Sequence, residues 1–166
     1  MLIGRLKECC GGDLISAEVK NGDNVAVVGR DRAPALMRLW RDDEKLRLDF
    51  LIDLTAVDWL GRKPRFEVVY HLWSFSLQHR LRVKIPVEEE QPWVYSATPL
   101  WKAADWLERE CYDMFGIRFE GHPDLRRILL YDSFVGHPLR KDYPVSKRQP
   151  IVEEVDPVIN PRPQSR

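Results

Sequence analysis

The side chains best suited to do chemistry crowd one stretch of the chain, from Glu108 to Pro144. Glu108, Arg109, Glu110 and Asp113 fall together at the end of a helical pattern, and Arg118, Arg126, Arg127, Arg140 and Lys141 follow. Acids at a helix C-terminus face the negative end of the macrodipole, which costs about 0.3–1 kcal/mol each when exposed. Arginine suits the compensating role, because a guanidinium grips a carboxylate through two hydrogen bonds. The pattern predicts a carboxylate–guanidinium network that pins the downstream segment to the helix. Metal ligation would need at least three convergent ligands. His122 and His137, with Asp113 or Asp142, provide no His-x-x-x-His pair and no Cys/His cluster. Each histidine sits instead in a Gly-His-Pro triplet, at 121–123 and 136–138, which fixes a turn and leaves the ring to pack or to hydrogen bond. Glu108, Asp113 and His122 could serve acid–base catalysis by type, but no spacing demands it. The chain has no Gly-x-Ser-x-Gly elbow, no glycine-rich phosphate loop and no iron–sulfur cysteine pattern. By chemistry it reads as cofactor-free and non-catalytic.

The elements that position these residues follow from periodicity. Leu2, Ile3, Leu6 and Cys9 predict a helix over 2–10, stopped by Gly11-Gly12. Strands at Leu14–Val19 and Val25–Val28 flank Asn21-Gly22, a hairpin signal. Asp31 is placed to cap a helix that carries Pro34 in its first turn and runs to about residue 44. Strands follow at Phe50–Trp59 and Arg65–Phe75, joined by Gly61-Arg62-Lys63-Pro64. Leu81, Val83 and Ile85 alternate with Arg80, Arg82 and Lys84 in a further strand ended by Pro86. Thr98 and Pro99 mark the start of the last helix, whose stripe is Leu100, Ala104, Leu107, Cys111 and Met114, with Gly116 as terminator. Trp101 and Trp106 lie off that stripe and are candidates to face a partner.

Beyond Gly116, neither helical nor strand periodicity continues, yet Phe, Leu, Ile and Tyr persist among Arg, Gly and Pro. A disordered tail lacks large apolar residues; this composition is that of a strap laid on a surface. The fold class is α/β (α+β type): a compact body, residues 1–116, with a mixed sheet of four to five strands packed by helices. Residues 117–166 form a long extended arm, its final ten or so residues the most prone to disorder alone.

Length supports one domain with a sizeable core. The 26 basic and 26 acidic residues cancel, which argues against a nucleic-acid binder and makes Arg80, Arg82 and Lys84 a solvated face. No apolar run suits a membrane span, and the charged N-terminus is not a signal peptide. Cys9, Cys10 and Cys111 lack framework spacing, which suits reduced thiols in a cytosolic compartment.

The residues themselves carry a family resemblance. Glu108-Arg109-Glu110, Asp113, Met114-Phe115-Gly116, Gly121-His122-Pro123, Arg126, Ile128 and the run Gly136-His137-Pro138-Leu139-Arg140-Lys141-Asp142-Tyr143-Pro144 resemble the C subunit of respiratory complex I, the thirty-kilodalton subunit. Asp53–Asp58, Arg65–Tyr70 and Arg82–Pro86 extend the likeness to about residues 50–144, with Cys111 a departure from the family pattern. The resemblance implies a subunit that binds no flavin and no iron–sulfur cluster, FMN and clusters being held by partners. It implies a place in the peripheral arm of NADH:quinone oxidoreductase, packed on the quinone-site D subunit with the B and I subunits nearby. That enzyme couples electron transfer from NADH to quinone with proton translocation. The chain would lie on the cytoplasmic face of a bacterial membrane, held by other subunits without inserting itself. By that logic Arg140, Lys141, Asp142 and Tyr143 are partner contacts, not catalysts. Two rival readings are the equivalent subunit of a membrane-bound hydrogenase or ferredoxin- or deazaflavin-fed complex, and a free-standing small enzyme using His122 or His137.

Overall fold

The computed structural model describes residues 2–149, so the reading of the final ten or so residues lies outside it. The order of elements is α1 (Leu2–Cys10), β1 (Leu14–Lys20), β2 (Asp23–Val28), α2 (Ala33–Asp42), β3 (Phe50–Asp58), β4 (Phe66–Ser74), β5 (His79–Val87), β6 (Trp93–Tyr95), α3 (Ala104–Phe115) and β7 (Arg118–Glu120). Five strands form one sheet in the order β1-β2-β5-β4-β3, all pairs antiparallel except β2 with β5. The mixed-sheet expectation is met.

Alternation decides which face is buried. Leu81, Val83, Ile85 and Val87 of β5 and Phe66, Val68, Tyr70 and Leu72 of β4 are buried together with Leu6, Leu36 and Trp40 of the helices. The opposite face is charged and internally matched: Lys84 pairs with Glu67 at 2.6 Å, and Arg80 and Arg82 both reach Asp23. Pro86 does not end β5, which continues to Val87 opposite Phe66. The parallel ladder with β2 reaches only Lys84, so the donor missing from Pro86 falls where no β2 strand needs it.

Three helix-terminus readings are corrected. The N-cap of α2 is Arg32, not Asp31, and no side chain caps it; the Gly29 carbonyl instead takes the amides of Arg32 and Ala33. That helix ends at Asp42. The last helix starts at Ala104, several residues after Thr98, because residues 97–101 first make a separate turn with Leu100 and Trp101 amides on the Ala97 carbonyl. Trp101 is only 5% exposed and belongs to the core, so it is no partner-facing side chain, whereas Trp106 is exposed.

A second, two-stranded sheet was not anticipated. β6 and β7 pair in parallel, with Val94 opposite Phe119, and α3 is the crossover between them. Parallel neighbours need such a connection. Ile117 and Phe119 are fully or nearly fully buried, so the chain is held in the core just past Gly116 before it runs out over the surface.

Candidate partner-binding site: a strap pinned to the end of a helix

Four carbonyls at the end of an α-helix have no partner within it. In α3 these belong to Tyr112, Asp113, Met114 and Phe115. Gly116, in the left-handed conformation at φ 73°, turns its amide back to Tyr112. The other three are taken by the strap. The Nδ1 of His137 donates to the Asp113 carbonyl at 2.9 Å, the Leu139 amide to Met114 at 3.1 Å, and the Nε of Arg140 to Phe115 at 2.6 Å. The strap is therefore the C-cap of α3, and its cations offset the negative end of the dipole.

Asp113 is the anchor. Its side chain is fully buried, one oxygen meeting Arg127 at 2.5 Å and the other accepting the amides of Ile128, Leu129 and Leu130 at 2.9–3.1 Å. Burial alone would raise this carboxyl; the three amides and the guanidinium outweigh it and hold the group below the usual carboxylate range. Arg127 reaches on to the carbonyls of Phe134 and Gly136, which ties one loop of the strap to the next. Arg109 donates to the carbonyls of Arg126 and Arg127 at 3.2 and 3.1 Å.

A second pin lies at the mouth of the β3–β4 hairpin. Arg65 and Asp58 form a buried two-point pair at 2.8 and 2.9 Å. The Lys141 amide donates to Asp58 at 2.8 Å, and Asp142 meets Arg65 at 2.9 Å. The Arg65 guanidinium, held close by it, keeps the Asp58 carboxyl below its ordinary range. Arg140 lies over the Phe66 ring, 5.1 Å from its centroid, without a carboxylate partner among the described residues. Tyr143 stacks on Phe134, and its hydroxyl accepts from Gln149 at 2.8 Å.

Of the predicted carboxylate–guanidinium network, one pair forms at the helix end, Asp113 with Arg127, while Arg109 and Arg140 reach backbone carbonyls instead. Glu110 is exposed and makes no ion pair among the described residues, and Arg126 pairs only with nearby exposed Asp124. Glu108 does not face the strap at all. It is fully buried on the β6 side, accepting the Ala97 amide at 2.6 Å and the Ser96 hydroxyl at 2.7 Å. Burial pushes its carboxyl up to about 7. His122 uses both ring nitrogens, Nε2 donating to the Asp105 carbonyl at 3.1 Å and Nδ1 accepting from the Asp124 amide at 3.0 Å. Its ring is closed to a metal, and no group of three metal-ligating side chains occurs among the described residues. Sequence reasoning missed Asp58 and Arg65; only their positions at the two ends of a hairpin could have signalled the pair.

Comparison with known proteins decides the family. The model for "Respiratory-chain NADH dehydrogenase, 30 Kd subunit" matches residues 26–149. The chain belongs to this 30 kDa subunit family. The NADH-quinone oxidoreductase C subunit of Citrifermentans bemidjiense is 50% identical over 141 residues, covering 85% of this chain and 86% of that protein. The C subunit of the same enzyme from Roseiflexus castenholzii is 46% identical over 148 residues, with 89% and 85% covered. Among solved structures, the trypsin-resistant fragment (1–134) of Nqo5 superposes with a TM-score of 0.67 at 36% identity, covering 75% of this chain and all of the fragment. A chain of the archaeal membrane-bound sulfane sulfur reductase shares the fold, with a TM-score of 0.73 at 23% identity over 87% of this chain and 84% of its own. The strap of this 30 kDa family member falls inside the matched region up to residue 149.

Three outcomes test the geometry. Asp113→Asn should cost about 3–5 kcal/mol, because Arg127 loses its buried partner; urea unfolding measures this, and trypsin should then cut at Arg126 and Arg127. Gly116→Ala should free the strap, since the new Cβ would lie 2.6 Å from the His137 ring and 2.7 Å from Arg140; limited proteolysis should show faster cleavage after Arg140 and Lys141. For Glu108 the folded carboxyl titrates above its unfolded value of 4.5, so its protonated form stabilises the fold at low pH and that stability is lost as pH rises through about 7. The loss is on the order of 3 kcal/mol; Glu108→Gln should flatten the fall in unfolding free energy across this window, the opposite of the acid loss expected of Asp113.

Proposed function

We propose that this chain is a non-catalytic structural subunit of the peripheral arm of NADH:quinone oxidoreductase, and that residues 117–166 are its partner-binding arm. Its role is to brace neighbouring subunits so that FMN and iron–sulfur clusters held by them keep their spacing while electrons pass from NADH to quinone and protons are translocated. The observation that carries the reading is a strap pinned from within by buried charges and carrying apolar side chains outward. Leu129, Val135 and Leu139 are each more than half exposed, although the amides of Leu129 and Leu139 are anchored to Asp113 and Met114 and the backbone of Val135 is held by Gln149. Exposed apolar groups on an ordered irregular segment suit a surface that another chain covers. Trp106, exposed on α3 beside Arg109, extends that surface.

The quinone-site D subunit is the partner assigned to this face, with the B and I subunits nearby. Arg140, which makes no direct ion pair among the described residues and is bonded through its Nε to the Phe115 carbonyl, is suited to a carboxylate supplied by that partner. On this assignment the chain lies on the cytoplasmic face of the bacterial membrane, held by its partners. No helix among the described residues is long and apolar enough to cross a membrane.

Replacing Leu129 and Val135 together by aspartate should leave the stability of the isolated chain within about 0.5 kcal/mol, as for other surface changes. Affinity purification from the native membrane should then recover far less of the co-eluting subunits than with the parent chain. Undiminished recovery of those subunits would remove this face from the interface.

A further inference from the structure

Outside the strap, one pair of reactive side chains is brought together and left unused. Cys9 and Cys10 end α1 with their Sγ atoms 3.4 Å apart. The Cys10 sulfur is aimed by the core, accepting a hydrogen bond from the indole Nε1 of Trp40 at 3.0 Å. Cys9 is half-buried, its thiol donating to the Leu6 carbonyl, and Gly11 and Gly12 beyond it have open space on their side-chain sides. One sulfur is therefore fixed and the other reachable. Neighbouring α-carbons lie about 3.8 Å apart, closer than the roughly 4.4–6.8 Å that disulfides span. A direct bond between these sulfurs is disfavoured, while a single bridging atom larger than carbon relieves the constraint.

We propose that Cys9 and Cys10 form a dithiol site for a soft, trivalent thiophilic centre, with an organoarsenical as its simplest ligand. Soft sulfur ligands select soft centres, and two thiols with the ligand's own substituent complete three-coordination without further protein groups. The chemistry is a condensation without redox change. Both S–H bonds and the arsenic–oxygen double bond break, two arsenic–sulfur bonds form, and the two thiol protons leave with the oxygen as one water. Burial pushes the Cys9 thiol up to about 12, so it stays protonated at neutral pH and alkylates slowly. The condensation consumes those protons and is not blocked by them.

The test uses the full-length chain with phenylarsine oxide. Mass spectrometry should show one arsenical per chain joined through two sulfurs, removed by 2,3-dimercaptopropanol and retained through a wash with excess monothiol. Trp40 emission should change on binding, and Trp40→Phe should lose that signal but keep the adduct. Cys9→Ser should retain at least tenfold less arsenical after the monothiol wash, and Cys111→Ser should retain it all. No adduct on the folded chain, two arsenicals per chain, or unchanged retention by Cys9→Ser would overturn the assignment. Cys9→Ser suffices if Cys10→Ser, placed in the core, does not fold.

Discussion

The structure depends on how the last turn of α3 is completed. A helix end leaves carbonyls that must find donors, and burying acids there compounds the need. Here the donors come from residues far along the chain. Arg127 and the amides of 128–130 converge on Asp113, while His137, Leu139 and Arg140 take the remaining backbone oxygens. Each contact is worth little alone, but removing the carboxylate would strand several donors at once, and unsatisfied buried groups are what proteins tolerate least. An irregular segment thereby acquires a shape without a sheet or helix of its own.

That solution also decides which groups of the strap face outward. Polar groups of the strap are spent inward, on α3 and on the Asp58–Arg65 pair, which leaves its aliphatic side chains facing out. A neighbour that covers them meets a surface already ordered, so little conformational entropy remains to be lost on association. His122 and His137 serve the same end. Both rings are engaged with backbone atoms, and burial lowers the proton affinity of His137, which keeps it a neutral donor to the helix end.

Much of this was legible in the residues. Strict alternation in Leu81, Val83 and Ile85 defined β5, and Gly116 marked the end of α3 because a left-handed position there excludes side chains. The density of arginine after a cluster of acids pointed to the pins. Which acid did what was not legible. Glu108, Glu110 and Asp113 are alike in type, and their separation into a buried hydrogen-bond acceptor, an exposed charge and an anchor depends on what each face of α3 meets, Ser96 and Ala97 on one side and the strap on another. Periodicity also could not find β6 and β7, which are three residues each, too short to alternate visibly. Thr98 misled because a good capping residue and a following proline also suit a turn, and the Ala97 carbonyl uses them as one.

The parallel pairing of β6 with β7 sets an order in time as well as in space. The five-stranded sheet is complete in sequence by Val87, before any of β6, α3 or β7 has been synthesised. β6 then waits for the crossover helix and for Phe119 to emerge, and Asp113 waits for Arg127. One core takes in residues from Leu6 to Phe119, so the apolar face of the sheet is fully covered only once α3 and β7 have emerged. The strap is the last described segment to be made, after the body on which it lies.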